Sequence, residues 1–220
     1  MAYDYDALRW NELEDFSRFL HELTDDQWDH PSLCEGWRVR DVVSHITLGY
    51  TTPMGSMLMK VARYRFSVPK ASKEESIAFG SAHTPAQLLQ EFDSIWQGRI
   101  RRGISKVIKT TDGLVDHIVH HQDCRRPLGR PRQVPVDRLR AALEVAPTLT
   151  GFVGAKPRAA GLRLEATDVD WSWGDGPVVR GPGEALLLVL CGRPAALPDL
   201  EGEGLATIRA RLGAPASAAA

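Results

Sequence analysis

Cysteine is scarce in this chain: Cys34, Cys124 and Cys191 are the three among 220 residues. They are too few and too scattered for a disulfide framework or a zinc ribbon, and they fit a reducing compartment. Long hydrophobic runs are missing as well. The longest, Ala185 to Cys191, falls far short of the ~20 apolar residues that a membrane helix needs. The first ten residues, MAYDYDALRW, carry acids where a secretory leader carries Lys or Arg and then an apolar core. A cytoplasmic protein is therefore expected. Neither charge is in excess: Lys plus Arg number 27 and Asp plus Glu 28, for a formal net charge of −1. A protein that grips phosphate backbones usually has a basic excess, so neither nucleic acid nor a membrane is an expected partner. There is also no Walker loop, dinucleotide fingerprint or nucleophile elbow.

What is present is ordinary for a folded protein, with 43% hydrophobic and 25% charged residues. Tyr5, Leu8, Leu13, Phe16, Phe19, Leu20 and Leu23 recur near a 3.6-residue period and predict a first helix. Trp28, Leu33 and Trp37 fall in a loop containing Pro31 and Gly36. A second helix starts at Val39, with Val42, Val43 and Ile46 on its apolar side and Asp41 in its first turn. Thr51-Thr52-Pro53 interrupts it, and Met54 to Arg65 resumes a helical pattern. Residues 67–83 are rich in Ser, Lys and Glu and predict a loop. Thr84-Pro85 is a helix start, with Thr as cap and Pro in the first turn. The helix it opens runs through Leu88, Phe92, Ile95, Ile100 and Ile104. Further helices are predicted over about Thr111 to Arg126 and from Pro135 to no later than Pro147.

Composition changes across residues 154–161, which predicts a linker. Beyond it, short strands are predicted around Leu162–Leu164, Val169–Trp173 and Pro177–Arg180. Helices follow over Pro182–Leu190 and Gly204–Leu212, and a small-residue tail covers 214–220. The expected organisation is a helical domain over 1–155, a small α+β domain over 160–213 and a disordered tail. A domain that small rarely makes a strong core alone, so the second is expected to pack on the first.

One segment stands out for chemistry, Asp116-His117-Ile118-Val119-His120-His121-Gln122-Asp123. Side chains at i and i+4 of a helix lie one above the other. Asp116 with His120 is one such pair and His117 with His121 is another. Either could give two ligands to a divalent metal, and a His/His/carboxylate set suits zinc with an open position. A third ligand must come from elsewhere, and His45, set among Val42, Val43 and Ile46, is the best candidate because a buried imidazole needs a partner. Periodicity alone leaves the choice between the two pairs open. Arg125, Arg126, Arg130 and Arg132 form a basic patch suited to a carboxylate or phosphate, or simply to a helix C-terminus. Cys34, near Trp37, is a candidate nucleophile with no helix N-terminus or base marked beside it, so it reads instead as a small buried hydrophobe, and Trp28, Trp37 and Trp96 as core.

Two motifs occur together. Pro31-Ser32-Leu33-Cys34-Glu35-Gly36-Trp37, continuing to His45, resembles the signature of the mycothiol-dependent maleylpyruvate isomerase family. So does Asp116-x-x-x-His120-His121-Gln122-Asp123 followed by Arg125-Arg126-Pro127-Leu128-Gly129. The stretch Ala166 to Trp171, with Gly181 to Leu186 and Gly192-Arg193, resembles the same family's C-terminal domain. The resemblance implies a mainly α protein: a DinB-like four-helix bundle followed by a small α+β, sterol-carrier-like domain. It implies a metal site, with zinc the first choice, on His45, Asp116 and His120. It also implies mycothiol as thiol cosubstrate and a small-molecule substrate whose carboxylates an arginine holds, with Arg125, Arg126 and Arg180 as candidates.

The chain departs from the family pattern in two places: Asp116 stands where the acid is glutamate, and Arg38 where a Ser or Thr often caps the helix. The implied activity is thiol-dependent isomerisation of the maleylpyruvate-to-fumarylpyruvate type, or S-transfer to another small electrophile. The competing readings are a non-catalytic metal-binding or regulatory bundle, to which the Asp116 departure gives some weight, and a metal-dependent hydrolase that uses the same ligands on water.

Overall fold

In the computed structural model, residues 3–150 and 153–214 are described. They group into two compact units, one of Asp4–Arg132 and one built from Gln133 onward. The tail expected from 214 lies, apart from Ala214, outside the described residues.

The first unit begins with α1 (Tyr5–His21), whose start is fixed by Asp4 Oδ1 accepting from Ala7 N at 3.0 Å. The short α2 (Asp25–Trp28) follows Thr24, then come α3 (Val39–Thr51) and α4 (Met54–Arg63). At the start of α3, Asp41 does the work that a capping Ser or Thr would do. Its Oδ2 accepts from Arg38 N at 2.9 Å, and the carboxylate also pairs with the Arg38 guanidinium. α4 stops short of the expected Arg65 because Arg65 and Phe66 both take left-handed backbone, with φ of 56° and 63°.

The largest departure from expectation is α5 (Val68–Ala82), a helix where a loop was predicted. Ser67 caps it, accepting from Lys70 N at 3.4 Å, and Pro69 lies in its first turn. Its buried residues are Ala71, Ser76 and Gly80 rather than large apolar side chains, so hydrophobic periodicity does not reveal it. α6 (Pro85–Gln97) ends before the expected Ile100 and Ile104, because Gly98 closes it and Arg99 turns the chain at φ 45°. Ile104 falls instead in a short 3₁₀ turn, Gly103–Lys106. Gly103 has φ 53°, and a Cβ there would lie 1.9 Å from the Thr52 carbonyl oxygen, so only glycine fits. α7 (Thr110–Arg125) completes the unit.

Four of these helices make a bundle: α1 and α3 each lie against both α6 and α7. The core joins Leu13, Phe16, Phe19 and Leu20 of α1 to Val42, Val43 and Ile46 of α3 and to Leu88, Phe92 and Ile95 of α6. Burying each such side chain contributes roughly 1.5–3 kcal/mol. Phe16 meets Phe92 edge-on at 5.5 Å between ring centroids.

The second unit contains α8 (Val136–Val145), α9 (Ala155–Ala159), β1 (Arg163–Ala166), β2 (Ser172–Trp173), β3 (Val178–Gly181), α10 (Gly183–Leu190) and α11 (Leu205–Arg211). The sheet order is β2-β1-β3, with β1 antiparallel to β2 through Leu164↔Trp173 and parallel to β3 through Leu164↔Val179. Composition changes near 154–161, but the compact division comes earlier, at Arg132/Gln133. α8 groups with the second unit because Leu139 and Leu143 pack on the start of α10. A Cβ on Gly183 would come within 2.9 Å of Leu143 Cδ1. Among the described residues no helix is long and apolar enough to cross a membrane.

α5 is held close against α3. A Cβ on Gly80 would meet Asp41 Oδ1 at 2.7 Å and Ser44 Oγ at 3.1 Å. Gly80→Val should therefore destabilise the protein by about 1–3 kcal/mol through overpacking, read as a lower urea midpoint. A midpoint equal to that of the parent would show that this contact does not constrain the fold.

Candidate metal centre

α7 is buried on nearly every side between α1 and α3, and its buried residues include His117, His120, His121, Gln122 and Asp123. Each of these polar groups needs a partner. The i, i+4 pair places His120 Nε2 3.4 Å from Asp116 Oδ1. α3 brings His45 alongside, its ring edge-on to His120 at 5.1 Å between centroids. His45, Asp116 and His120 each offer one ligand atom, and the three atoms lie within 4.8 Å of one another. His45 Nδ1 is 3.0 Å from Ser72 Oγ of α5. Trp37 walls the group, at 5.2 Å from the His45 ring and 6.4 Å from the His120 ring. Asp116 is the most open of the pair it forms, with 40% of its side chain exposed against 9% for His120.

The second nitrogen of His120 faces another set. Nδ1 lies 2.9 Å from Asp123 Oδ2, and Cys34 Sγ donates to the same oxygen at 3.0 Å. Cys34 arrives on the loop between α2 and α3, which is pinned by a Pro31↔Arg38 bridge and by Leu33 N donating to the Asp123 carbonyl at 3.0 Å. Burial raises the Asp116 carboxyl, but the imidazoles of His120, His45 and His117 outweigh it and hold the group well below the usual carboxylate range. Burial lowers His120. The Asp116 carboxylate and the hydrogen bonds with Asp116, Asp123 and Cys34 more than reverse this, and the imidazole sits well above its ordinary value.

The other i, i+4 pair has different neighbours. His117 Nε2 lies 3.4 Å from Tyr50 OH, and its Nδ1 is buried without a hydrogen-bond partner among the described residues. His121 stacks on Phe16 at 4.3 Å and accepts from Arg125 Nε at 2.8 Å. That acceptor role places its proton on Nδ1, which donates to the fully buried Glu12 at 2.9 Å. Arg132 pairs with the same carboxylate. Burial is the first cause for both imidazoles and pushes each down to about 4.

Two of the three candidate arginines pair with other side chains. Arg125 lies over the Phe19 ring at 4.1 Å and is occupied with His121. Arg126 is half-buried just after α7. Arg180, on β3, pairs with Glu165 at 2.7 Å. Three residues beside the group carried little or no sequence signal. Ser72 was read into a loop, Cys34 as a small hydrophobe and Trp37 as core, although the spacing of Asp123 from His120 did mark it as a helical neighbour.

Two imidazoles and one carboxylate are the donor set of a catalytic zinc site with an open position. The remaining ring nitrogens of His45 and His120 face Ser72 and Asp123, the outer arrangement usual around metal-bound histidine. These residues thus fit a divalent metal.

The fold is a helical bundle followed by a small α+β unit, and its candidate centre is a His/Asp/His cluster in the bundle. Residues 9–102 match the family model described as "Mycothiol maleylpyruvate isomerase N-terminal domain". Two solved structures share the fold: mycothiol-dependent maleylpyruvate isomerase and a histidine-to-alanine mutant of it. Each has a TM-score of 0.59, at 19% and 18% identity, with 91% of this chain and 92% of the other covered. No curated protein sequence matches significantly.

Removing an outer partner of a metal ligand typically lowers metal affinity about 10–100-fold, so loss of a ligand should cost at least about 100-fold. His45→Ala and His120→Ala should show that loss in a zinc titration, while His117→Ala keeps the parent affinity. Loss of zinc from the His117 variant would put the ligands on the other face of α7.

The metal-free protein should also lose stability in mild acid. An unfolded imidazole takes a proton near 6.5, whereas folded His117 and His121 take one only near 4. Between those values the unfolded state binds more protons, so stability rises with pH across the window and falls on acidification. His120 opposes this only at the upper end of the window, where its raised folded imidazole already holds the proton that the unfolded one is still taking up near 6.5. Urea midpoints with chelator should drop between about pH 6.5 and about pH 4.5. Equal midpoints would show that these two imidazoles are not buried in the neutral form.

Proposed function

We propose that this chain is a metal-dependent enzyme that uses a low-molecular-weight thiol of the mycothiol type on a small unsaturated acid. The reaction is a maleylpyruvate-to-fumarylpyruvate type isomerisation, or S-transfer to a related electrophile. The observation that carries this reading is the approach of His45, Asp116 and His120 to within 4.8 Å, in a chain whose residues 9–102 match the isomerase family's N-terminal domain. The thiol enters through the solved structures that share the fold, which are of a mycothiol-dependent isomerase.

His45, Asp116 and His120 would hold the metal, with zinc the first choice for two imidazoles and a carboxylate. A divalent metal there supplies the electrostatic pull that favours thiolate over thiol. The other roles fall to the chain's own groups. Ser72 and Asp123 orient the two rings from behind, and Trp37 lines one wall. Asp116, with 40% of its side chain exposed, marks the side from which small molecules reach the donors.

In the isomerisation, the sulfur lone pair forms a C–S bond to one alkene carbon and the π electrons move toward the conjugated carbonyl. The former double bond is now single and rotates. Return of those electrons expels the thiolate and leaves the trans alkene, so no thiol is consumed. In S-transfer, the C–S bond is retained and a leaving group or proton balances the step.

The test is turnover of maleylpyruvate by the purified protein with and without mycothiol, before and after chelation. Turnover should require both thiol and metal. Hydrolytic activity that is indifferent to the thiol would contradict the reading.

Two substitutions at Asp116 sharpen it. Asp116→Ala should weaken zinc binding at least about 100-fold, since a ligand and its charge are lost. Asp116→Glu restores the family's longer acid and should keep or raise affinity. Parent-like affinity in the alanine variant would remove Asp116 from the ligand set. A fall in the glutamate variant would show the site spacing to be matched to the shorter acid.

A further inference from the structure

His120 is shared by two groups of donors that meet it through opposite ring nitrogens. Nε2 lies 3.4 Å from Asp116, on the side of the proposed metal. Nδ1 lies 2.9 Å from Asp123 Oδ2, and Cys34 Sγ donates to that same oxygen at 3.0 Å while standing 3.8 Å from Nδ1. Asp123 is fully buried, so its carboxylate depends on hydrogen-bond donors from the protein. Cys34 is tied to the same residue twice. Beside the thiol contact, the neighbouring Leu33 N donates to the Asp123 backbone carbonyl at 3.0 Å. The loop is further braced by Ser32 Oγ accepting from Cys34 N at 3.1 Å and by Trp37 N donating to the Cys34 carbonyl at 2.9 Å.

Resting on the metal reading above, we propose that Asp123 and Cys34 are positioning residues for the metal centre, with Cys34 acting through Asp123 and not as a ligand or nucleophile. Asp123 keeps the His120 proton on Nδ1, which presents Nε2 as the ligand atom and makes the ring a better donor. The Cys34 thiol donates to the shared oxygen and fixes the carboxylate in the plane that His120 needs. The arrangement explains why a polar carboxylate and a thiol are placed together behind a buried imidazole: Cys34, Asp123 and His120 form one hydrogen-bonded line that ends at the ligand nitrogen.

Cys34, His120 and Asp123 also bring donor atoms within 4.8 Å of one another, so direct ligation through sulfur is the alternative to be tested. Zinc affinity and the visible spectrum of the cobalt-loaded protein separate the two. Asp123→Asn should lower zinc affinity about 10–100-fold. Cys34→Val, which cannot donate, should lower it severalfold, and Cys34→Ser, whose hydroxyl can donate, should restore it. The parent's cobalt spectrum should lack a thiolate-to-cobalt charge-transfer band and should be shared by Cys34→Ser. A purely structural role would instead lower the unfolding temperature of the metal-free protein and leave the affinity and spectrum of the folded fraction unchanged.

Parent-like zinc affinity in both Asp123→Asn and Cys34→Val overturns the proposal. So does a charge-transfer band in the parent that vanishes in Cys34→Ser, which would make Cys34 a ligand. If Asp123→Asn does not fold, the Cys34 pair and the cobalt spectrum still decide. A parent that takes up neither zinc nor cobalt overturns the metal reading, and this inference falls with it.

Discussion

The first unit depends on the burial of polar side chains along α7. A helix with His117, His120, His121, Gln122 and Asp123 all buried is stable only if its neighbours answer those groups, since an unsatisfied buried polar group costs on the order of 1–3 kcal/mol. The surrounding elements answer most of them. α1 gives Glu12 to His121, α3 gives Tyr50 to His117 and His45 beside His120, and the loop before α3 gives Cys34 to Asp123. The bundle is therefore specified as much by these pairings as by its apolar core. A rotation of α7 by one residue would leave several of them without partners.

The same constraint separates two histidine pairs that look alike in sequence. His121 is locked between Glu12 and Arg125 in a network that also uses Arg132. His120, one residue earlier, has carboxylates on both sides of its ring. Burial keeps His117 and His121 neutral, while the two carboxylates and the Cys34 hydrogen bond favour charge on His120. A ring held between two anions, with a second imidazole close by, is a place where a divalent cation could replace a proton. That electrostatic difference, more than helix position, distinguishes the candidate ligands from their neighbours.

Much of this was legible in the amino-acid order. The 3.6-residue spacing of Leu13, Phe16 and Leu20, the Thr84-Pro85 start and the strand pattern around Leu164 all map onto elements of the fold. The i, i+4 relation of Asp116 and His120 and the isolated His45 were visible too. α5 was not, because its buried face is made of Ala71, Ser76 and Gly80, small residues that carry no hydrophobic periodicity. Ser72 was missed with it. The end of α6 was misjudged because apolar residues continue past Gly98, where the backbone turns at Arg99. Cys34 was read by its usual role as a small hydrophobe. Its link to Asp123 joins residues 89 positions apart and exists only once the loop closes on α7.

The central claim is that His45, Asp116 and His120 form a metal site with one position left for a thiol sulfur. X-ray absorption at the zinc edge, on the loaded protein with and without mycothiol, tests it most directly. Without thiol, the account predicts nitrogen and oxygen neighbours only, with imidazole nitrogens at about 2.0–2.1 Å. On addition of thiol, a single sulfur neighbour should appear at about 2.3 Å. A sulfur already present before thiol is added, or an unchanged spectrum after it, would contradict the account.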